Sequence, residues 1–150
     1  MNVSTKNCVR IIAVIASALV AAGCMSVPKR PAISSASIVP SDLKPGDSAV
    51  MTVEVQDKFG LVQRVEGIVK EDPTVLFQLQ DDGIAPDKQA GDGIWSLQVD
   101  VPFNAPPGEF EVTVNTYNAS GELILITNEE GEVSPLMASF GLIIRFPPDR

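Results

Sequence analysis

An all-β domain, built as an antiparallel two-sheet sandwich of about seven to eight short strands, is the fold class this sequence predicts. Three observations carry it. Apolar and polar residues alternate in several separate stretches, glycine and proline are frequent (11 and 12 in 150 residues), and no long stretch has helical periodicity. Ala49, Met51, Val53 and Val55 alternate with Val50, Thr52, Glu54 and Gln56. The same period of two relates Trp95, Leu97, Val99 and Val101, then Phe110, Val112 and Val114, then Phe140, Leu142, Ile144 and Phe146. A period of two with one apolar face describes strands that cover a core on one side and meet water on the other. Weaker strands are predicted over Ala36–Val39, Leu61–Val69, Val75–Gln80 and Leu123–Thr127. Between them lie turn sequences such as Lys44-Pro45-Gly46-Asp47, Pro106-Pro107-Gly108 and Asn118-Ala119-Ser120-Gly121. A small β-barrel is the alternative closure of the same strands.

The chain divides into three parts: 1–23, 24–35 and 36–150. Lys6 and Arg10 make the start positive, and Ile11 to Ala22 is an unbroken apolar or small-residue run. At ~1.5 Å rise per residue this run is too short to span a bilayer core of ~30 Å, which suits an export signal rather than an anchor. Ala21-Ala22-Gly23-Cys24 follows, and the segment resembles the lipobox of bacterial lipoproteins, although Ala21 stands where that family prefers Leu. The resemblance implies cleavage before Cys24, lipidation of its thiol, and a membrane-anchored envelope protein. Met25 rather than Asp after the cysteine implies the outer membrane where a cell has two. Cys8 falls in the discarded part, so Cys24 is the single cysteine of the mature chain and forms no intrachain disulfide. Residues 24–35 contain MSVPKRPAISS, the composition of an extended tether.

Charge excludes one class of partner. The chain carries 11 Lys and Arg against 19 Asp and Glu, a formal charge of −8, and loss of Lys6 and Arg10 leaves −10. A field of that sign repels nucleic acid. The chain also has no histidine, which leaves no Ser-His or Cys-His pair and a poor ligand set for zinc. We therefore expect no enzyme and no catalytic residue.

Asp81 to Trp95 reads DDGIAPDKQAGDGIW, and PPGEFEVTVNTYNASGE follows at Pro106–Glu122. Together with Val53–Gly60 these segments resemble bacterial immunoglobulin-like domains over roughly residues 48–121. There an Asp-Asp-Gly turn leads to a Gly-Asp-Gly-Ile-aromatic strand start and then a Pro-Gly turn. The resemblance implies an immunoglobulin-like antiparallel β-sandwich for residues 36–150 and says almost nothing about function.

Two chemistries compete for the loop's carboxylates. In one, Asp82 and Asp92 close Asx-turns while Gly83, Gly91 and Gly93 take positive φ. In the other, Asp81, Asp82, Asp87 and Asp92 converge on a Ca²⁺, the hard cation that oxygen ligands and sharp glycine turns suit. The spacing is not that of an EF-hand loop, and Lys88 adds an opposing charge. Trp95, in register with Leu97 and Val99, is expected in the core. Tyr117 falls on the opposite face from Val112 and Val114, and Glu129, Glu130 and Glu132 form a solvated turn. The functional expectation is a non-enzymatic accessory module that binds another envelope protein, through an exposed sheet edge for example. A calcium-assisted polysaccharide or peptidoglycan binder is the alternative, and a paired-carboxylate hydrolase the third.

Overall fold

The computed structural model describes residues 30–146, so Cys24 and the leader lie outside the described residues. Ten strands, and among the described residues no helix, make the fold: β1 (Ala32–Val39), β2 (Asp42–Leu43), β3 (Ser48–Gln56), β4 (Arg64–Val69), β5 (Leu76–Leu79), β6 (Ile94–Asp100), β7 (Gly108–Tyr117), β8 (Leu125–Thr127), β9 (Val133–Pro135) and β10 (Met137–Ile144). One sheet has the order β1-β3-β6, the second β2-β10-β7-β4-β5, and β8-β9 form a separate hairpin. Except for β2, which runs parallel to β10, every pairing is antiparallel. The chain starts in one sheet as β1, changes to the other as β2, and returns as β3. This is the all-β, largely antiparallel two-sheet architecture that the sequence predicts, with ten strands rather than seven to eight because β2 and β9 are too short to show a period.

The core follows the alternation. Ala49, Met51, Val53 and Val55 of β3 face Val65 and Val69 of β4, with Val112 and Val114 of β7, and all are buried. Two sheets facing across such side chains form one layer of core about 10 Å thick. Gly67 sits in the middle of β4 because a Cβ there would stand 3.0 Å from Val112 Cγ1 and 3.3 Å from Met51 Sδ.

Three details depart from the sequence reading. β1 begins at Ala32, so the last four residues assigned to the tether are strand, and Ala32 pairs with Gln56. Serines there satisfy a pleated edge as well as an extended linker, and composition alone does not separate the two. Trp95 is half-buried against the core rather than enclosed, because β6 is an edge strand with Ser96 as its buried position. Gln80 and Ser96 exchange backbone hydrogen bonds of 3.0 and 2.8 Å, which stitch the β5 edge of one sheet to β6 of the other. That seam curls the sandwich toward a half-barrel, the geometry the alternative prediction had in view.

Register places the loops at two poles. Ala32, Gln56, Ile94, Arg64, Tyr117 and Met137 terminate their strands at one pole, here the near pole, where Arg30 begins the described chain. Val39, Ser48, Asp100, Val69, Gly108 and Ile144 terminate theirs at the far pole.

Candidate functional site

The near pole is dominated by the Asp81–Gly93 loop. Its Asx-turns are those the sequence predicts: Ile84 N–H donates to Asp82 Oδ1 and Ile94 N–H to Asp92 Oδ1, both at 2.9 Å and both two residues on. Gly83, Gly91 and Gly93 have φ of 74°, 73° and 84°. Gly93 has a second reason to be glycine, since a Cβ there would stand 2.5 Å from the Val55 carbonyl oxygen. That close approach lets Gly93 accept the Val55 N–H at 2.8 Å and tie the loop to β3.

Of the four carboxylates, three come together. One oxygen each of Asp81, Asp87 and Asp92 lies within 4.8 Å of the others, while exposed Asp82 stays outside the group. Asp87 is the buried member, 5% exposed, and takes the Gly83 N–H at 2.6 Å and the Gln89 N–H at 3.3 Å. Asp81 spans the loop, accepting from Gly91 at 2.7 Å and Gly93 at 3.1 Å. The Gly83 N–H, with smaller help from Gln89 and Lys88, holds the Asp87 carboxyl below its ordinary value. A carboxyl held ionised is unsuited to act as a general acid near neutral pH. Lys88 is exposed and joins no ion pair among the described residues. Backbone N–H groups thus engage both oxygens of Asp81 and Asp87 and one oxygen each of Asp82 and Asp92.

Sequence reasoning missed a polar cluster on the outer face of the second sheet. Glu66, 7% exposed, pairs with Arg64 at 3.2 Å, and the Arg64 guanidinium carbon lies 4.2 Å from the centroid of the Tyr117 ring. Tyr117 is thus covered rather than free for stacking, and burial with the Glu66 charge beside it raises its phenol pKa. Arg64 and Tyr117 are register partners, a relation visible only once β4 and β7 pair.

The segment between β7 and β10 carries a pair of matching turns. Asn118-Ala119-Ser120-Gly121-Glu122 and Asn128-Glu129-Glu130-Gly131-Glu132 fold alike. In each, the Asn Oδ1 accepts N–H groups two and four residues on, and its side-chain amide donates to the final glutamate at 3.1 Å. Each also closes on a glycine of positive φ, 79° and 86°. Glu129, Glu130 and Glu132 are thus hairpin turn residues, exposed as expected. Buried Thr116 anchors the excursion, its hydroxyl donating to the Leu136 carbonyl at 2.9 Å.

The free sheet edges are unequal. β2 has two residues and β5 four, and β6 is bridged at Ser96. β1 has eight residues, AISSASIV, with no charge and no proline; it lies beside β10 of the other sheet, and among the described residues no strand hydrogen-bonds to its outer side.

No protein-family model matches the chain, and no curated protein resembles it in sequence. Among solved structures, the endo-β-1,4-mannanase of Thermotoga petrophila aligns at 13% identity and TM-score 0.45, over 77% of this chain and 19% of that one. The alkylpurine DNA glycosylase AlkC of Pseudomonas fluorescens, bound to DNA containing an abasic site analog, aligns at 14% and 0.48, over 78% and 31%. The PmoD soluble domain of Methylocystis aligns at 12% and 0.35, over 70% and 78%. The chain spans about a fifth and a third of the first two.

Proposed function

We propose that the chain is an exported lipoprotein whose sandwich serves as a non-enzymatic docking module for another envelope protein, tethered to the membrane through acylated Cys24. One observation carries the docking reading: β1 is an eight-residue, uncharged edge whose outer backbone groups have no strand partner among the described residues. An edge of that kind offers a template for an added strand, and the other edges here are short or bridged. The bulge between Ile33 and Ser35 limits the template to Ser35–Val39, about the length of a short added strand. The leader supports the anchor, and the β1 start at Ala32 leaves seven residues between Cys24 and the sheet.

The test is crosslinking in intact cells followed by affinity capture, comparing the unaltered chain with Ser35→Lys/Ser37→Lys. Both serines are exposed, so the double variant should keep its Tm, as substitutions at open surface positions stay within about 0.5 kcal/mol. We expect one stoichiometric envelope protein with the unaltered chain and at least a tenfold loss with the variant. Undiminished capture by the variant would exclude β1 as the docking edge.

A second reading, calcium-assisted binding of cell-wall glycan, is favoured by the convergence of Asp81, Asp87 and Asp92. Retention on purified cell-wall material that a chelator reverses, and that Asp87→Asn removes, would replace the first reading. Retention indifferent to chelator would separate glycan binding from calcium.

A further inference from the structure

At the far pole the two sheets do not close on each other. A cavity of about 380 Å³ opens between them, walled by Ile38, Met51 and Val99 from one sheet and Val69, Phe110 and Leu142 from the other. Sandwich cores are normally filled by interdigitating side chains. Here Leu43, Ala49 and Met51 form a closed floor, no more than 2% exposed, and the gap opens above it among the partly buried Val99, Val101 and Ile144. Phe77 and Phe110 line the walls, only partly buried, and do not cross the gap. An apolar cavity of ~150 Å³ stays dry and accepts benzene, and ligand sites begin near ~300 Å³. This cavity is therefore large enough for an alkyl chain, and its walls give water almost nothing to bond to.

The mouth has a definite charge. The acidic side chains that line it are Asp72 and Asp100, with the Asn104 amide beside them and, among the described residues, no Lys or Arg. Thr74 and Ser48 each occupy one oxygen of the respective carboxylate, so neither acid is neutralised by a cation. Phe103, 87% exposed, stands on the loop that follows β6, and Val75 and Leu76 extend apolar surface at the start of β5.

We infer that the cavity between the sheets is a binding site for an alkyl chain bearing a cationic head group, the chain lying against the partly buried Phe77, Val99, Val101 and Phe110 and the head beside Asp72 and Asp100. Carboxylate amphiphiles such as fatty acids are disfavoured by the same two charges. The site is independent of the β1 edge, whose exposed Ser35 and Ser37 take no part in it.

Methyl NMR of the full chain in phospholipid nanodiscs, titrated with octyltrimethylammonium, octanol and octanoate, tests this. Octyltrimethylammonium should shift the Val69, Val99 and Leu142 methyls saturably, with Leu125 and Val133 at the near pole unmoved. Octanol should bind at least fivefold more weakly, and octanoate should give no saturable shift. Val99→Phe, at a partly buried wall position, fills the cavity and should abolish the Val69 and Leu142 shifts while near-pole methyls keep their positions. Should that variant disturb the near pole, Ala105→Leu at the mouth provides the same readout. Asp72→Asn/Asp100→Asn should leave octanol binding intact and remove the preference for the cation. Absence of saturable shifts with all three probes would mean an underpacked core only. Octanoate binding equal to or tighter than the cation would overturn the head-group assignment.

Discussion

The two poles of the sandwich solve the same problem in opposite ways. Each must finish a sheet pair whose inner faces are apolar. The near pole does so with polar atoms: Asp81, Asp87 and Asp92 collect the N–H groups of residues 83, 89, 91, 93 and 94, and Gly93 fastens the result to Val55. The far pole leaves the sheets parted over an apolar cavity with two acids at its mouth. A loop closed by directional bonds has one geometry, and a gap lined by methyls and rings tolerates changes in what fills it. Rigidity and capacity to bind are thus placed at opposite ends of one core.

The largest effect expected is at the near pole. Gly93→Ala combines a positive φ of 84° with a Cβ 2.5 Å from the Val55 carbonyl oxygen, so backbone must move. A loss of about 3 kcal/mol or more is expected in urea denaturation. Gly91→Ala shares the positive φ but meets nothing within 4 Å, and about 1–2 kcal/mol is expected. Equal losses would show that the clash with β3 is not what makes this pole rigid.

Thr116→Val comes next. It keeps shape and removes the hydroxyl that donates to Leu136, leaving a buried carbonyl short of a partner, at a cost of about 1–2 kcal/mol. Hydrogen exchange should rise first in β8 and β9, because Thr116 links that excursion to β7. A uniform rise across all strands would mean the hairpin has no separate anchorage.

At the far pole the sign should reverse. Val99→Phe adds volume where space exists and is expected to stabilise by about 1 kcal/mol, whereas Gly67→Ala, facing Val112 at 3.0 Å, should cost about 1–3 kcal/mol. If both destabilise, the far pole is as tightly packed as the middle of the core.

These contrasts mark what the amino-acid order makes legible. β3, β7 and β10 alternate cleanly because each turns one apolar face toward the core and the other toward water. The Asx-turns of Asp82 and Asp92 are readable since an Asp two residues before its donor is a local event. The loop's third partner is not, because Asp81 reaches Gly91 and Gly93 ten and twelve positions away. β2 is too short for any period, and it is held to β10 by the Ile143 N–H donating to the Ser41 carbonyl and the Arg145 N–H to the Leu43 carbonyl, both at 2.8 Å, about a hundred positions away. β9 hides behind three glutamates, yet the repeated Asn-x-x-Gly-Glu spacing announces both turns. Glu66 and the cavity exist only after pairing, since burial of a strand's polar face and a gap between sheets are properties of two sheets together.

Acid brings out the smallest difference between the poles. Asp87 has a carboxyl pKa below its ordinary 3.8, chiefly from the Gly83 N–H, and Asp72 at the far pole is lowered by the Thr74 hydroxyl and N–H. A group depressed in the folded state contributes stability above its unfolded pKa and loses that contribution as pH falls through the folded value. Both carboxyls should therefore weaken the fold only below about pH 4, with no change between pH 5 and 8. Asp87 supports a closed loop from a buried position, and Asp72 supports only its own exposed turn. Asp87→Asn should consequently flatten the acid limb of a Tm-against-pH curve more than Asp72→Asn does. Equal flattening would place the two turns on the same footing and remove the distinction between a pole held by carboxylates and one that merely carries them.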